Sequence, residues 1–153
     1  NGSLVAQPKL NGSNCVIFTN GVKFIAMNRH NQRLTNFSLN DNELKDIYRG
    51  QGWMILNGEY MNKSKSDESN QVFNHKFVIF DILAINGEYL VGKTFEERVK
   101  ILDNLYGQVE SEKDYLYKVT ENIYRVKTYV GDFKVLFDKL TPIDMVNCPV
   151  DWL

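Results

Sequence analysis

Lys76-Phe77-Val78-Ile79-Phe80-Asp81-Ile82-Leu83-Ala84-Ile85 is a nearly continuous apolar run broken by one acid, followed at once by Asn86-Gly87 and then Glu88-Tyr89-Leu90-Val91. A short apolar stretch of this kind, rich in branched and aromatic side chains and ended by a turn signal, predicts a central strand buried on both faces. Asn-Gly predicts a tight hairpin turn, because both residues tolerate positive φ. Asp81 is the exception within the run. A carboxylate there costs several kcal/mol (~2–7 for an unpaired polar group) unless it is paired, so it is either functional or firmly satisfied.

Downstream, Thr94-Phe95-Glu96-Glu97 has the form of a capping box, in which the Thr hydroxyl and the Glu97 carboxylate each satisfy an orphan amide of the first turn. The helix so opened carries Val99, Leu102 and Tyr106 on one face and stops at Gly107. A strand over about 122–130 and a helix over about 132–140 follow, with Pro142 forbidding continuation. Upstream, a strand is predicted over 53–61, ahead of a polar loop over 62–71 that includes Lys63 and Lys65. A helix is predicted over 41–48, capped by Asn40 or Asp41 and ended by Gly50 or Gly52. Cys15-Val16-Ile17-Phe18 and Val22-Lys23-Phe24-Ile25-Ala26 flank Asn20-Gly21, which predicts a two-residue hairpin. Strands mixed with helices that do not sit between parallel strands give an α+β class, with antiparallel sheets flanked by helices. No internal repeat or linker divides the chain.

The 153 residues fit one domain able to bury roughly two-thirds of its unfolded surface. With 43% hydrophobic and 24% charged residues, the balance is that of a globular domain rather than a disordered or membrane chain. Eighteen basic residues against nineteen acidic ones offer no general attraction to a phosphate backbone, so any nucleic-acid contact is local. Cys15, Cys148, His30 and His75 show no zinc-type spacing, and the cysteines read as free thiols of a reducing compartment. No apolar run has the length of a membrane span, and the start lacks a signal pattern. A soluble cytoplasmic monomer is expected, with no membrane partner.

Lys9-Leu10-Asn11-Gly12-Ser13-Asn14 lies between an incoming strand and the first hairpin. A lysine that attacks phosphorus must be unprotonated part of the time, which neighbouring cations, a metal or burial would bring about. Gly12 lets the backbone approach a ligand closely. Alone, such a segment is most often a polar turn. Further segments match in order, however. The Lys9–Gly12 stretch resembles motif I of the covalent nucleotidyltransferases, the superfamily of DNA ligases, RNA ligases and messenger-RNA capping enzymes. Asn28-Arg29 resembles motif Ia, Leu56-Asn57-Gly58-Glu59-Tyr60 motif III, and Phe77 through Leu83 motif IIIa, with Asn86-Gly87-Glu88 and Arg98 also typical. Val150-Asp151-Trp152-Leu153 stands where motif IV is expected, with Trp152 in place of Gly, and the resemblance implies a motif V that is not among these residues.

The resemblance implies a partial adenylation domain over 1–153, with an ATP-grasp-like nucleotidyltransferase fold, motifs I to about IV and a truncated C-terminal end. It implies Lys9 as the residue that attacks ATP and carries AMP, and Gln7, Leu10, Arg29, Glu59 and Phe80 as nucleotide contacts, with Phe77 the alternative to Phe80 for stacking on the base. Glu59 and Asp151 would serve Mg²⁺. The implied partners are RNA or DNA ends, and the implied relatives are phage or viral ligases, which would place the protein in the host cytoplasm. Asn11 replaces the commoner Asp, and Asn14 completes a Lys-x-x-Gly-x-Asn pattern that resembles RNA ligases. Two alternatives stay open: a capping guanylyltransferase that uses GTP, and a nucleic-acid-binding remnant without activity. His30 and Arg33 read as solvated side chains.

Overall fold

The computed structural model describes residues 5–10, 12–34, 37–61, 75–130 and 150–152. Its centre is a seven-stranded sheet formed by β3 (Ser13–Thr19), β4 (Phe24–Met27), β5 (Met54–Met61), β6 (Lys76–Ile85), β7 (Glu88–Tyr89), β8 (Leu116–Lys118) and β9 (Ile123–Val126). The strand order is β4-β3-β5-β6-β9-β8, with β7 also paired to β6. Two short ribbons complete the described strands: β1 (Val5–Ala6) pairs with β10 (Tyr129–Val130), and β2 (Pro8–Leu10) with β11 (Val150–Trp152). Helices α1 (Asp41–Ile47) and α2 (Phe95–Tyr106) make the architecture α+β.

The decisive run Lys76–Ile85 is β6 residue for residue, paired on one edge with β5 and on the other with β9. The β6–β9 pairing is parallel, which corrects the expectation of purely antiparallel sheets. A parallel neighbour needs a long crossover, and the chain from β7 through α2 and β8 supplies it. Asn86 and Gly87 both adopt positive φ, as the turn requires. Register shifts along β5–β6 leave Phe80 and Leu83 as extra residues, each opposite a junction in β5. These are β-bulges, which bend a strand and re-aim its side chains.

Alternation along the strands produces two faces. Cys15, Ile17, Leu56, Tyr60, Phe77, Ile79 and Ile82 pack with Leu44 and Ile47 of α1 and Leu102 of α2 in the main core. Each fully buried aliphatic side chain contributes roughly 1.5–3 kcal/mol. Leu10, Met61, Val78, Leu116, Tyr124 and Val126 form a second cluster, against which Phe80 and Tyr115 rest.

The helix boundaries follow local chemistry. Asn40 caps α1, its side chain accepting from Glu43 N at 2.8 Å, and α1 ends ahead of Gly50 and Gly52. Thr94 and Glu97 form the capping box of α2, which ends at Gly107 with φ 71°. The buried Glu43 accepts from Thr120 and Asn122, tying α1 to the turn between β8 and β9.

Two further expectations are revised. The first hairpin uses four residues, 20–23, because Thr19 pairs with Phe24. Only Gly21 takes positive φ there, while the Asn20 side chain accepts from Val22 N and Lys23 N. The strand expected over 122–130 is two strands, β9 and β10, separated by Lys127 and Thr128. The helix expected over 132–140 and the polar loop over 62–71 lie outside the described residues. No helix among the described residues is long and apolar enough to cross a membrane.

Candidate active site

Gly12 follows β2 and lies directly against β5. A Cβ at Gly12 would stand 2.6 Å from the Tyr60 carbonyl oxygen and 2.9 Å from Met61 Sδ, so a side chain there would force the loop off the sheet. The close approach lets Gly12 N donate to Glu59 Oε2 at 3.0 Å. Gly58 meets a similar restriction, since an added Cβ would fall 2.2 Å from the Val78 carbonyl oxygen of β6. The Gly-Glu pair at 58 and 59 thus has a steric reason in its first member and a loop anchor in its second.

The β3–β5 register places Asn14 directly opposite Glu59. Asn14 Nδ2 donates to Asn57 Oδ1 at 3.0 Å and reaches the Gly58 carbonyl at 3.4 Å. Beyond β4, the segment from Asn28 to Gln32 closes on itself. Asn28 N donates to Gln32 O at 2.7 Å, Asn28 Oδ1 accepts from His30 N and Gln32 N, and Asn31 takes φ 61°. This folded turn presents the exposed Arg29 and His30.

These three regions enclose one cavity of about 480 Å³. Leu10 and Gly12 to Asn14 supply one wall, Asn28 to His30 another and Glu59 a third, with Leu34 also in the lining. The cavity therefore carries the Arg29 guanidinium on one side and a carboxylate on another, which suits a ligand with both phosphate and hydroxyl groups. Cys15, pointing away from it into the core, has its thiol pushed up to about 12 by burial first and the Glu59 charge second.

Of the residues singled out in the sequence, Leu10, Arg29 and Glu59 meet at this cavity. Lys9 lies in β2, one residue before Leu10, and its backbone is opposite Asp151 of β11. Gln7 and Phe80 are not on the cavity wall but are tied to each other. Gln7 Nε2 donates to Phe80 O at 3.3 Å and to Thr128 Oγ1 at 2.8 Å. Phe80, half-buried at its bulge, rests on the cluster that contains Leu10, whereas Phe77 is fully buried in the helix-side core.

Asp81 is satisfied structurally. Arg98 holds both its oxygens, Nε to Oδ1 at 2.8 Å and Nη2 to Oδ2 at 3.2 Å, and Ile82 N also donates to Oδ1. His30 is exposed, as the sequence suggested, yet it also lines the cavity, and its place beside Arg29 was the available signal. Asn57 drew no attention in the sequence, although a polar residue just before Gly58-Glu59 in a strand was a visible anomaly.

Among the described residues, no three His, Cys, Asp or Glu side chains gather as a metal site. The Glu59 carboxylate at the cavity wall is still the donor type that magnesium takes, since that ion keeps several waters and accepts only one or two protein carboxylates.

Residues 2–135 match the sequence model of the family described as RNA ligase. No curated protein matches the chain. A solved structure of a Lig E DNA ligase, characterised for DNA binding with a minimal scaffold, superposes with a TM-score of 0.52 at 16% identity. That likeness is one of fold. It covers 95% of this chain and 52% of the other, so the chain spans about half the length of the ligase it matches.

Proposed function

The chain belongs to the RNA ligase family, and on that premise we propose that it forms the nucleotide-accepting part of an ATP-dependent polynucleotide ligase. The observation that supports this reading is the shared cavity. Segments far apart in sequence, Leu10 with Gly12 to Asn14, Arg29 and Glu59, all reach one space of about 480 Å³ immediately beside the strand that contains Lys9.

In the first step, the free amine of Lys9 attacks the α-phosphorus of ATP. An N–P bond forms, the O–P bond to pyrophosphate breaks, and the lysine nitrogen gives up a proton to solvent. In the second, an oxygen of a 5′-phosphate end attacks the same phosphorus and the lysine amine leaves, taking up a proton. A 3′-hydroxyl then attacks the activated 5′-phosphate, AMP departs and the hydroxyl proton is lost.

The chain's own groups set this up. Arg29 offers a planar fork to phosphate oxygens, Glu59 fixes the loop after Lys9 and faces the ligand, and Phe80 offers a ring to the adenine. Gln7 holds the backbone at Phe80. Glu59 and Asp151 would hold magnesium, which when bound neutralises charge on the phosphates. The substrate is an RNA or DNA end, and the enzyme acts as a cytoplasmic monomer.

The test is incubation of the full-length protein with ATP labelled on the α-phosphate and Mg²⁺. Acid-labile label on Lys9, and its loss in Lys9→Ala, is the expected result. Label on another lysine, or label from GTP in preference to ATP, would overturn the assignment.

A further inference from the structure

Asn14 and Asn57 together define what the cavity wall offers a ligand. The Gly58 carbonyl can only accept, so the atom of Asn14 that faces it is the amide nitrogen. The same nitrogen donates to the Asn57 side-chain oxygen at 3.0 Å, which fixes the amide from a second direction. With its hydrogens turned towards β5, Asn14 has its carbonyl oxygen left for the cavity that it lines. Asn57 itself is absent from that lining, half-buried on β5 and two residues from Glu59 on the same strand face.

We propose that Asn57 is a positioning residue that locks Asn14 with its carbonyl oxygen towards the ligand, so that this wall selects a hydroxyl-type donor rather than a phosphate oxygen. The inference rests on the nucleotide-binding reading above and deepens it. Without Asn57, the Asn14 amide is free to rotate and present its NH₂ group, which has no use for a donor. Two ligand groups share the required chemistry: a ribose hydroxyl of the nucleotide and a water held by its magnesium.

The experiment measures ATP binding at equilibrium by calorimetry, and lysyl-AMP formation in parallel, on the full-length protein. Asn57→Leu is expected to weaken ATP binding about tenfold, the order of one lost hydrogen bond. Asn57→Asp, which keeps an acceptor for Asn14, is expected to recover most of that loss. Asn14→Ala should lose a similar factor, and the double variant should be no worse than Asn14→Ala alone, since the two residues act as one unit. Should Asn57→Leu not fold, Asn57→Ala enters the same cycle.

A ribose partner is identified if the Asn14→Ala loss vanishes with 2′-deoxy- or 3′-deoxy-ATP. A metal-held water is identified if the loss persists with both analogues and the variant needs more Mg²⁺. ATP binding unchanged in Asn57→Leu, or losses that multiply in the double variant, would overturn the proposal. If ATP binds and the cycle behaves as expected but no lysyl-AMP forms, the ligase reading falls and the positioning role stands. If ATP does not bind at all, both fall.

Discussion

The ion pairs and carboxylates anchored on the helices and the polar groups at the cavity are used in opposite ways. Where the helices supply one partner, charge is consumed: Asp81 is gripped by Arg98 of α2, Glu43 of α1 by Thr120 and Asn122, and Arg125, almost fully buried, by Asp103 of α2 and the Gly107 carbonyl. At the cavity, by the end of β3 and β5, polar groups restrain one another from behind while their ends front the ligand space. Gly12 holds Glu59, and Asn57 holds Asn14. The lesson is a division of labour. Ionic groups tied to the helices serve stability, and polar groups at the cavity serve a ligand.

The sharpest test of that division is Arg98→Met. It leaves the buried Asp81 charge without its partner, and breaking such a pair costs about 3–5 kcal/mol. Thermal melting should show a fall of several degrees or more, roughly 2–4 °C per kcal/mol for a domain of this size. ATP affinity of the folded variant should be unchanged, and a large loss of affinity at unchanged melting temperature would break the comparison.

Glu59→Ala should do the reverse. Lysyl-AMP formation is expected to fall about a hundredfold, the cost of one preorganised polar group at a reacting centre, with melting altered little. A smaller effect is expected for Thr94→Ala, which removes the cap of α2. About 1 kcal/mol of stability should be lost in chemical denaturation, with no change in nucleotide binding.

The smallest effect concerns Cys15. Its thiol ionises near 9 in the unfolded chain and only near 12 when buried, so the neutral form favours folding. That contribution is complete well below pH 9, begins to fall as the unfolded thiol ionises on the approach to 9, and is lost as pH rises towards 12. Between pH 8 and 9 the unfolding free energy should drop by about 0.3 kcal/mol more in the parent than in Cys15→Ala. An equal drop in both would mean that Cys15 is not shielded.

The legible parts of the sequence were those decided locally. β6 declared itself by its unbroken apolar run, the turn after it by Asn86-Gly87, and α2 by Thr94, Glu97 and Gly107. Asn20-Gly21 misled because the Asn20 side chain accepts from Val22 N and Lys23 N and draws two further residues into the turn, which no dipeptide pattern reveals. β8 went unnoticed because three residues, Leu116–Lys118, carry no periodicity. The parallel pairing of β6 with β9, and the bulge at Phe80, depend on partners distant in sequence. At the site, the motif resemblance picked out Leu10, Arg29 and Glu59, which converge on one cavity, but it gave no hint of Asn57, whose importance lies in a contact with another strand. The roles of Lys9 and Asp151 remain for the adduct experiment, their backbones being set opposite each other in β2 and β11.

The parallel partnership of β6 and β9 also has a consequence during synthesis. Phe77 pairs with Ile123, so one edge of the most apolar strand waits for a segment made 46 residues later. At a ribosome speed of about 5–20 residues per second, that wait lasts on the order of several seconds. Through it, the nascent chain exposes Phe77-Val78-Ile79 as an open template for another strand, a hazard that edge-protecting charges relieve in other sheets. The yield of folded protein from cells should therefore respond to whatever shields that edge, a chaperone or slower growth at low temperature, more than to the stability of the finished fold.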